Sequence, residues 1–312
     1  MRIAAIVVNH NGGEDLPRCL AALAAQTVPV EAVLVDCDSN DGSEALAARP
    51  PAGVRGVPLG RNAGYAGGCN AGLAVTEADV VAFLNPDCFL APEYSAVCTE
   101  VLGGEPTVGG VAGRLLRDDG CTLDSCGQVL TPFLLRVRDR GYGSPAAGAF
   151  ERGDRVLAAC GAGMVYRRAA LQAAAVEGHV FPEEYFAFWE DLDLGWRVRN
   201  AGWDVRYEPR AVAVHRRAAT AVPGRGRLIF RRPPSLAAGI LLNRWATLAR
   251  NLHAVDFALR LPVLLAGDVA MVAVIALRRP AAVPALLAGL PRVMRALRQR
   301  RALVQRRLGE LR

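Results

Sequence analysis

Four groups of polar residues follow short apolar runs in the first ninety residues of the chain. The polar groups are residues 9–11, 36–41, 61–62 and 85–87, and the apolar runs before them are residues 3–8, 32–35, 54–59 and 80–84. Carboxylates bind the hard divalent cations that neutralise phosphate groups, and a positioned carboxylate can remove a proton from a hydroxyl. Asp87, just past a strand end, could face a phosphate-bound cation.

A buried parallel sheet is the element that would bring these groups together. The apolar runs are short and unbroken, and Leu16, Leu20 and Leu23 repeat at helical spacing between the first two. This alternation predicts a three-layer α/β domain with a mostly parallel sheet that is covered on both faces. Ligands bind at the carboxyl ends of the strands in such sheets, where all four polar groups lie. Residues 105–160 carry Gly and Pro punctuation and predict a long excursion over the sheet.

Composition and charge divide the chain into two regions. Hydrophobic residues make up 52% of the 312 residues, which excludes a disordered protein. Residues 1–215 carry 18 arginines and 27 acidic residues, whereas residues 216–312 carry 19 arginines and three acidic residues. We therefore predict an α/β domain over residues 1–220 and an Arg-rich helical region over residues 221–312. That region lacks interleaved aromatic residues, so we expect no nucleic-acid partner.

The basic region contains an apolar segment at the short limit for a membrane span. Residues 261–277 are bounded by arginines and have Asp268 in the middle, where an acid costs about 2.5–3.5 kcal/mol in a bilayer. Arginines on both flanks place both ends on the cytoplasmic side. We expect helices that lie in the surface of the membrane. The alternative is a helical cap packed on the α/β domain.

The cysteines and the N-terminus favour the cytoplasm. Eight cysteines are scattered without any CxxC pair, which gives no support to a structural zinc site. The apolar run at residues 3–8 is too short for a secretory signal. Unpaired thiols without an export signal are typical of the reducing cytosol, so we expect a cytoplasmic protein on the inner face of the membrane.

Six segments, taken in order, resemble a known family. They are VVNHNGGEDLPRCLAALAAQT, LVDCDSNDGS, GRNAGYAGGCNAG, FLNPDCFL, GAGMVYRRAAL and FWEDLDLGWRVRNAGW. Residues 3–217 resemble family 2 glycosyltransferases of the GT-A fold, in the rhamnosyltransferase-like branch. The resemblance implies that a sugar is moved with inversion from dTDP-rhamnose or a UDP-sugar to a hydroxyl of a glycan or lipid-linked acceptor. It also implies a divalent cation, Mg²⁺ or Mn²⁺, and a place in cell-surface polysaccharide assembly.

The resemblance also implies the donor site. Asp87 takes the place of the last residue of the DxD metal motif, with Asn85 in place of the first carboxylate, and His215 resembles a further metal ligand. The implied nucleotide-sugar contacts are Asn9, Asp36, Arg61, Asn62, Gly67, Gly68, Asn70, Gly161 and Ala162. A helix over residues 71–75 could turn its N-terminus to the phosphates, because helix N-termini bind anions. A plain tight turn at the glycines stays open as the alternative.

The acceptor side is implied by the segment that begins at Trp189. Asp191 resembles the general base, Glu190 its neighbour, and Trp189 an apolar platform for a sugar ring. The segment predicts a helix that runs to about Asn200. Its positive N-terminal end keeps a carboxylate ionised, as a base must be, but it also stabilises first-turn acids that have only a structural role. Asp193 is expected to pair with an arginine four residues later.

Two other function classes remain open. A nucleotide-sugar-binding scaffold without catalysis is possible because Asn85 replaces a carboxylate, and metal-dependent donor consumption would exclude it. A nucleotidyltransferase on a similar sheet would release pyrophosphate rather than a nucleoside diphosphate.

Overall fold

The computed structural model describes residues 1–217 and 232–311. Their strands are β1 (Ile3–Asn9), β2 (Val30–Asp36), β3 (Val54–Pro58), β4 (Val80–Leu84), β5 (Cys88–Leu90), β6 (Val108–Leu116), β7 (Leu123–Ser125), β8 (Gln128–Leu130), β9 (Val137–Asp139), β10 (Asp154–Val156), β11 (Gly163–Arg167) and β12 (Asp204–His215). Their α-helices are α1 (Asp15–Ala24), α2 (Glu44–Ala48), α3 (Gly64–Leu73), α4 (Tyr94–Gly104), α5 (Arg168–Ala173), α6 (Glu190–Asn200), α7 (Pro234–Asn251), α8 (Ala254–Arg278), α9 (Val283–Ala288) and α10 (Leu290–Gln299).

A mixed sheet forms the centre of the molecule. Its strand order is β10-β12-β6-β11-β4-β1-β2-β3, with β5 beside β12 and β7 beside β6. Strands β4, β1, β2 and β3 are parallel, as predicted, whereas β11 runs antiparallel to both β4 and β6. The start of β11 therefore lies at the same edge as the ends of β1, β2 and β4. The end of β12 reaches that edge too, since β12 is parallel to β6.

Helices cover both faces of the sheet and give it two cores. Alternate side chains of β1 point to opposite faces: Ile6 packs in the core that contains α3 and α6, and Val7 in the core that contains α1 and α4. The three leucines predicted on one helical face, at 16, 20 and 23, are all buried in α1. The predicted three-layer α/β architecture is confirmed.

Residues 105–160 differ from the prediction. They do not simply pass over the sheet, because β6 lies inside it between β11 and β12. Three glycines obscure this strand in the sequence. An added Cβ at Gly110 would lie 2.4 Å from Tyr166, and one at Gly113 would lie 2.6 Å from Tyr94. Large side chains of neighbouring elements fill the space that strand side chains normally occupy.

Helix α3 also differs, since it begins at Gly64 rather than near residue 71. Its glycines lie against the sheet: an added Cβ at Gly68 would lie 2.4 Å from Val8, and one at Gly72 would lie 2.3 Å from Ile6. The glycine-rich segment is therefore a helix packed closely on β1 and not a tight turn. The structure accounts for Gly68 by this close packing.

The C-terminal helices pack on the α/β domain. Ala246, Leu248 and Leu252, in or directly after α7, are buried in the same core as Trp196 of α6. The predicted boundary at residue 220 lies outside the described residues. Helix α8 is the only described helix that is long and apolar enough to cross a membrane, and 11% of its most apolar stretch is buried. The packing of α7 agrees with a helical cap, while α8 leaves a broad apolar face exposed.

Candidate functional site

The ends of β1 and β2 are tied together by a buried hydrogen-bond network. The side-chain nitrogen of Asn9 donates to Asp36 at 2.8 Å and lies 3.0 Å from Ser39 Oγ and 2.9 Å from Ser43 Oγ. Asp36 also accepts from the Ser39 hydroxyl at 2.6 Å. Both Asn9 and Asp36 are buried. The network shapes the loop after β2 at the predicted nucleotide edge.

The next group of predicted nucleotide-sugar contacts begins after β3 and continues into α3. Arg61 and Asn62 are exposed, and Asn62 lies 3.0 Å from the imidazole of His10. Gly67 is buried in α3, as is Gly68. Asn70 binds the backbone of Phe181 through both ends of its amide, at 2.7 and 3.1 Å. Arg61 and Asn62 are thus open to a ligand, whereas Asn70 has a structural partner.

Asp87 and His215 meet at the carboxyl edge of β4. Asp87 Oδ1 lies 3.4 Å from His215 Nε2, and both side chains are buried. The other ring nitrogen, Nδ1, is 2.8 Å from Asp124 Oδ2. Burial lowers the pKa of His215, but the hydrogen bonds to Asp124 and Asp87 outweigh it and raise this pKa to about 9. The His215 ring therefore lies between the carboxylates of Asp87 and Asp124.

Asp124 was not predicted from the sequence. It is fully buried, and it binds the guanidinium of Arg217 as well as His215. Arg217 continues to Asp139 at 2.9 Å. A carboxylate behind the far nitrogen of a histidine fixes the ring and its tautomer, which is the usual arrangement behind metal-binding histidines. Asp124 lies in a part of the chain whose sequence shows no strand periodicity. Its partner His215 is 91 residues away, so no local sequence pattern indicated the contact.

Asp191 lies at the start of α6, next to the segment that leads into β11. Its Oδ2 accepts from the backbone N–H of Gly161 at 2.9 Å and from Gln128 Nε2 at 2.8 Å. Burial raises the pKa of Asp191, against the N–H groups of Gly161 and Leu192, which lower it. The side chain remains partly exposed. An oriented carboxylate with a raised pKa and an open face can act as a general base.

Glu190 and Trp189 are buried beside it. Burial, followed by the charge of Asp191, raises the pKa of Glu190 well above its ordinary value. Its Oε2 is buried and has no hydrogen-bond partner within the described part of the chain.

The backbone just before α6 is strained. Phe186, Phe188 and Trp189 all have positive φ, between 59° and 75°. Each such residue costs on the order of 1–3 kcal/mol, and strain of this kind clusters at functional sites.

One backbone segment joins the two carboxylate regions. Gly161 binds Asp191, and the carbonyl of the next residue, Ala162, accepts from the Asn85 N–H at 3.2 Å. On the far side, an added Cβ at Gly12, in the loop after β1, would lie 3.0 Å from Pro86. The regions of Asp36, Asp87 and Asp191 therefore follow one another along a single edge of the sheet, linked by direct contacts.

Asp193 is structural, as expected. It binds Arg197 at 2.8 Å and Arg250 of α7 at 2.8 Å, with all three side chains buried. Burial raises its pKa, but the two arginines outweigh this and lower it overall. Arg250 was not predicted, because an arginine in a basic tail resembles a surface residue in sequence.

Within residues 1–217 and 232–311, no group of three or more His, Cys, Asp or Glu side chains could enclose a metal ion. Asp87 and His215 nevertheless suit a divalent cation that takes its other ligands from a diphosphate and water. Mg²⁺ is commonly bound in this way, by one or two protein side chains and substrate phosphates.

The comparisons with known proteins agree with one another. The family model described as Glycosyl transferase family 2 matches residues 4–174. A Mycobacterium tuberculosis protein, N-acetylglucosaminyl-diphospho-decaprenol L-rhamnosyltransferase, is 31% identical over 238 residues, which cover 68% of this chain and 75% of the relative. S. aureus TarS 1-349 in complex with UDP-GlcNAc matches with a TM-score of 0.61 and 16% identity, over 97% of this chain and 84% of that chain.

A second solved structure matches over nearly the whole chain. Mannosyltransferase PcManGT from Pyrobaculum calidifontis, in complex with GDP-Man and Mn²⁺, has a TM-score of 0.55 and 21% identity, over 95% of this chain and 75% of that chain. At these identities the two structures show a common fold.

The buried carboxyl of Glu190 predicts a pH-dependent loss of stability. Its pKa is raised by folding, so the folded protein holds the proton more tightly than the unfolded chain. Stability therefore falls as the pH rises above the ordinary glutamate pKa of about 4.3. We expect Glu190→Gln to be more stable than the wild type at pH 8 and equally stable at pH 4, measured by urea unfolding. Glu93→Gln, at an exposed position, is the control; equal curves for Glu190→Gln and wild type at both pH values would contradict the prediction.

Proposed function

The chain belongs to family 2 of the glycosyltransferases, and we propose that it moves L-rhamnose from dTDP-rhamnose to a hydroxyl of a lipid-linked sugar. Glycosyltransferase activity follows from the family and the curated relative, and the GT-A fold from the solved neighbours. The nucleotide-bound ligands in those neighbours support a nucleotide-diphospho-sugar as the donor. Rhamnose and the lipid-linked acceptor are supported by the name of the mycobacterial relative, which specifies a rhamnosyl donor and a diphospho-decaprenol acceptor.

The position of Asp191 carries the proposal. Its carboxylate is oriented by Gly161 and Gln128, and the residue is partly exposed. Gly161 is followed directly by Ala162, whose carbonyl accepts from the Asn85 N–H. In this reading Asp191 accepts the proton of the acceptor hydroxyl. The hydroxyl oxygen then bonds to the anomeric carbon as the bond from that carbon to the diphosphate oxygen breaks. Attack from the face opposite the diphosphate inverts the anomeric centre, and the nucleoside diphosphate leaves.

Asp87 and His215 would hold a divalent cation on the diphosphate. A cation there would stabilise the negative charge of the leaving nucleoside diphosphate. The carboxylate and imidazole are 3.4 Å apart, and Asp124 fixes the ring from behind. The Mn²⁺ in the archaeal mannosyltransferase structure supports a metal requirement. Asn9, Asp36, Arg61 and Asn62 would bind the nucleotide farther along the edge.

The exposed face of α8 would rest on the cytoplasmic membrane. Every exposed residue of this helix up to residue 277 is apolar, and its charged residues Asp256, Arg260 and Asp268 are turned inward. Arg260 donates to the carbonyl of Pro132, and Asp268 pairs with Arg244 of α7 at 2.6 Å. Since these contacts fasten the middle of α8 to the catalytic domain, the helix can lie in the membrane surface more readily than cross it.

The base assignment predicts that Asp191→Asn abolishes transfer without loss of donor binding. Removal of a general base lowers kcat by about 10²–10⁴-fold, whereas the nucleotide edge is untouched. The assay supplies dTDP-rhamnose and UDP-hexoses with Mg²⁺ or Mn²⁺ and a polyprenyl-diphosphate sugar, and it measures released nucleoside diphosphate; dTDP titration measures binding. Asp154→Asn, at an exposed position at the start of β10, is the control. A wild type that binds donor but never consumes it would indicate the scaffold instead.

The metal assignment predicts a role for Asp124. Asp124→Asn weakens the hold on the His215 ring, so the Mn²⁺ concentration for half-maximal activity should rise by about 10–100-fold. Asp87→Asn should raise it as well, and EDTA should abolish wild-type transfer. Asp118→Asn is the control, because that aspartate is an exposed partner of Arg216. Full activity of the wild type in EDTA would refute the metal requirement.

The α8 surface predicts binding to anionic vesicles. We expect the full chain to sediment with phosphatidylglycerol vesicles, and Leu259→Glu combined with Val269→Glu to stay in the supernatant. Both side chains are more than 60% exposed, so the fold should tolerate the change. Each apolar side chain contributes roughly 1.5–3 kcal/mol when buried. Ala45→Glu, exposed on α2, is the control. A wild type that remains soluble beside the vesicles would overturn the membrane proposal.

A further inference from the structure

We propose that Asn243 of α7 is a positioning residue for the catalytic carboxylate of Asp191. It binds the backbone of the loop at residues 185–188, which leads directly into the first turn of α6. The inference rests on the proposed function, because it takes Asp191 as the general base. It assigns to the Arg-rich C-terminal region a part in catalysis that is separate from any contact with a membrane.

The side-chain nitrogen of Asn243 converges on three carbonyl groups of this loop. It lies 2.9 Å from the carbonyl oxygen of Tyr185, 3.1 Å from that of Ala187 and 2.8 Å from that of Phe188. Asn243 is fully buried. The two N–H donors of one amide are therefore shared among three backbone carbonyls of the loop.

A residue of α10 fixes the direction of the amide. The guanidinium of Arg292 donates to Asn243 Oδ1. Arginine has donors only, so the atom that faces it must be the amide oxygen, and the nitrogen must face the loop. The contacts run from Arg292 to Asn243 and then to the loop carbonyls.

The remaining carbonyl of the loop, that of Phe186, is bound by the backbone of α3. Phe186 O accepts from the N–H of Ala66, in the first turn of α3, at 3.2 Å. An added Cβ at Gly64 would lie 2.4 Å from this oxygen, so the two backbones touch. Four consecutive carbonyls are thus held between α3, which packs on β1, and α7.

These contacts hold a loop that would not keep its shape alone. Phe186, Phe188 and Trp189 have left-handed φ values, which side chains other than glycine rarely adopt. Trp189 is followed immediately by Glu190 and Asp191. Relaxation of any of the three residues would move the first turn of α6, and with it the carboxylate that Gly161 and Gln128 hold.

A second asparagine of α7 provides a matched comparison. Asn251 is also fully buried, and its side chain donates to Asp193 Oδ1 at 2.8 Å rather than to the loop. Asp193 keeps Arg197 and Arg250 as partners when Asn251 is removed. Asn243→Ala and Asn251→Ala therefore remove equivalent buried donors from the same helix, but only the first frees the loop.

The experiment compares full-length Asn243→Asp, Asn243→Ala, Asn251→Ala, Asp191→Asn and the wild type. Asn243→Asp keeps the size of the side chain and a partner for Arg292 but loses the N–H donors. We measure kcat, the KM for acceptor, the affinity for dTDP, and the midpoint of thermal unfolding. We expect both Asn243 variants to lose about 100-fold in kcat with dTDP affinity unchanged, because a small displacement of a catalytic group has an effect of this size. Asn251→Ala should keep the wild-type kcat at a similar loss of thermal stability.

Two results would overturn the inference. The first is a wild-type kcat in both Asn243 variants while Asp191→Asn is inactive; that result leaves the proposed function intact. The second is a fall in kcat that Asn251→Ala shares or that accompanies loss of dTDP binding, which would indicate general destabilisation. If the wild type releases no nucleoside diphosphate from any donor, the proposed function fails first, and the inference falls with it.

Discussion

The hydrogen bond from the Gly161 N–H to Asp191 joins the first turn of α6 to the edge of the sheet that carries Asp36 and Asp87. Gly161 belongs to the segment before β11, whose antiparallel direction brings its start to the edge where β1, β2 and β4 end. The antiparallel direction of β11 therefore gives the first turn of α6 an anchor at this edge. A strand that departs from the parallel order therefore ties the proposed base to the edge that carries the proposed cation ligands and nucleotide contacts.

Much of the fold can be predicted from unbroken apolar runs, and its two main misreadings have one cause. Strands β1, β2 and β4 are buried on both faces, so their sequences are continuously apolar and their bounds agree closely with prediction. Strand β6 and the start of α3 were missed because glycine interrupts the pattern. In both elements glycine is present because a neighbouring side chain occupies the place of its Cβ. Close packing between elements is a tertiary property, and hydrophobic periodicity does not report it.

In the candidate site, too, residues marked by a local sequence pattern were predicted, and residues defined by partners far away in the chain were not. Asp87 and Asp191 stand at the ends of predicted elements, where position alone suggests chemistry. Asp124 and Asn243 do not, because their partners lie 91 and between 55 and 58 residues away in the chain. Arg250 is hidden differently: composition places it among surface arginines, but it is buried against Asp193 and Tyr185. Sequence reasoning therefore missed the buried residues that hold the proposed substrate contacts in place.

The buried amide of Asn243 means that the C-terminal region is not an interchangeable module. Helix α7 completes the interior of the α/β domain, while the neighbouring α8 presents an apolar surface. The sequence of this region is therefore constrained both by packing inside the protein and by its exposed surface. A shortened protein, truncated to remove the apolar C-terminal helices for easier purification, would lose the contacts that hold the loop before α6. Evolutionary exchange of this region between relatives would likewise require matched changes in the loop before α6.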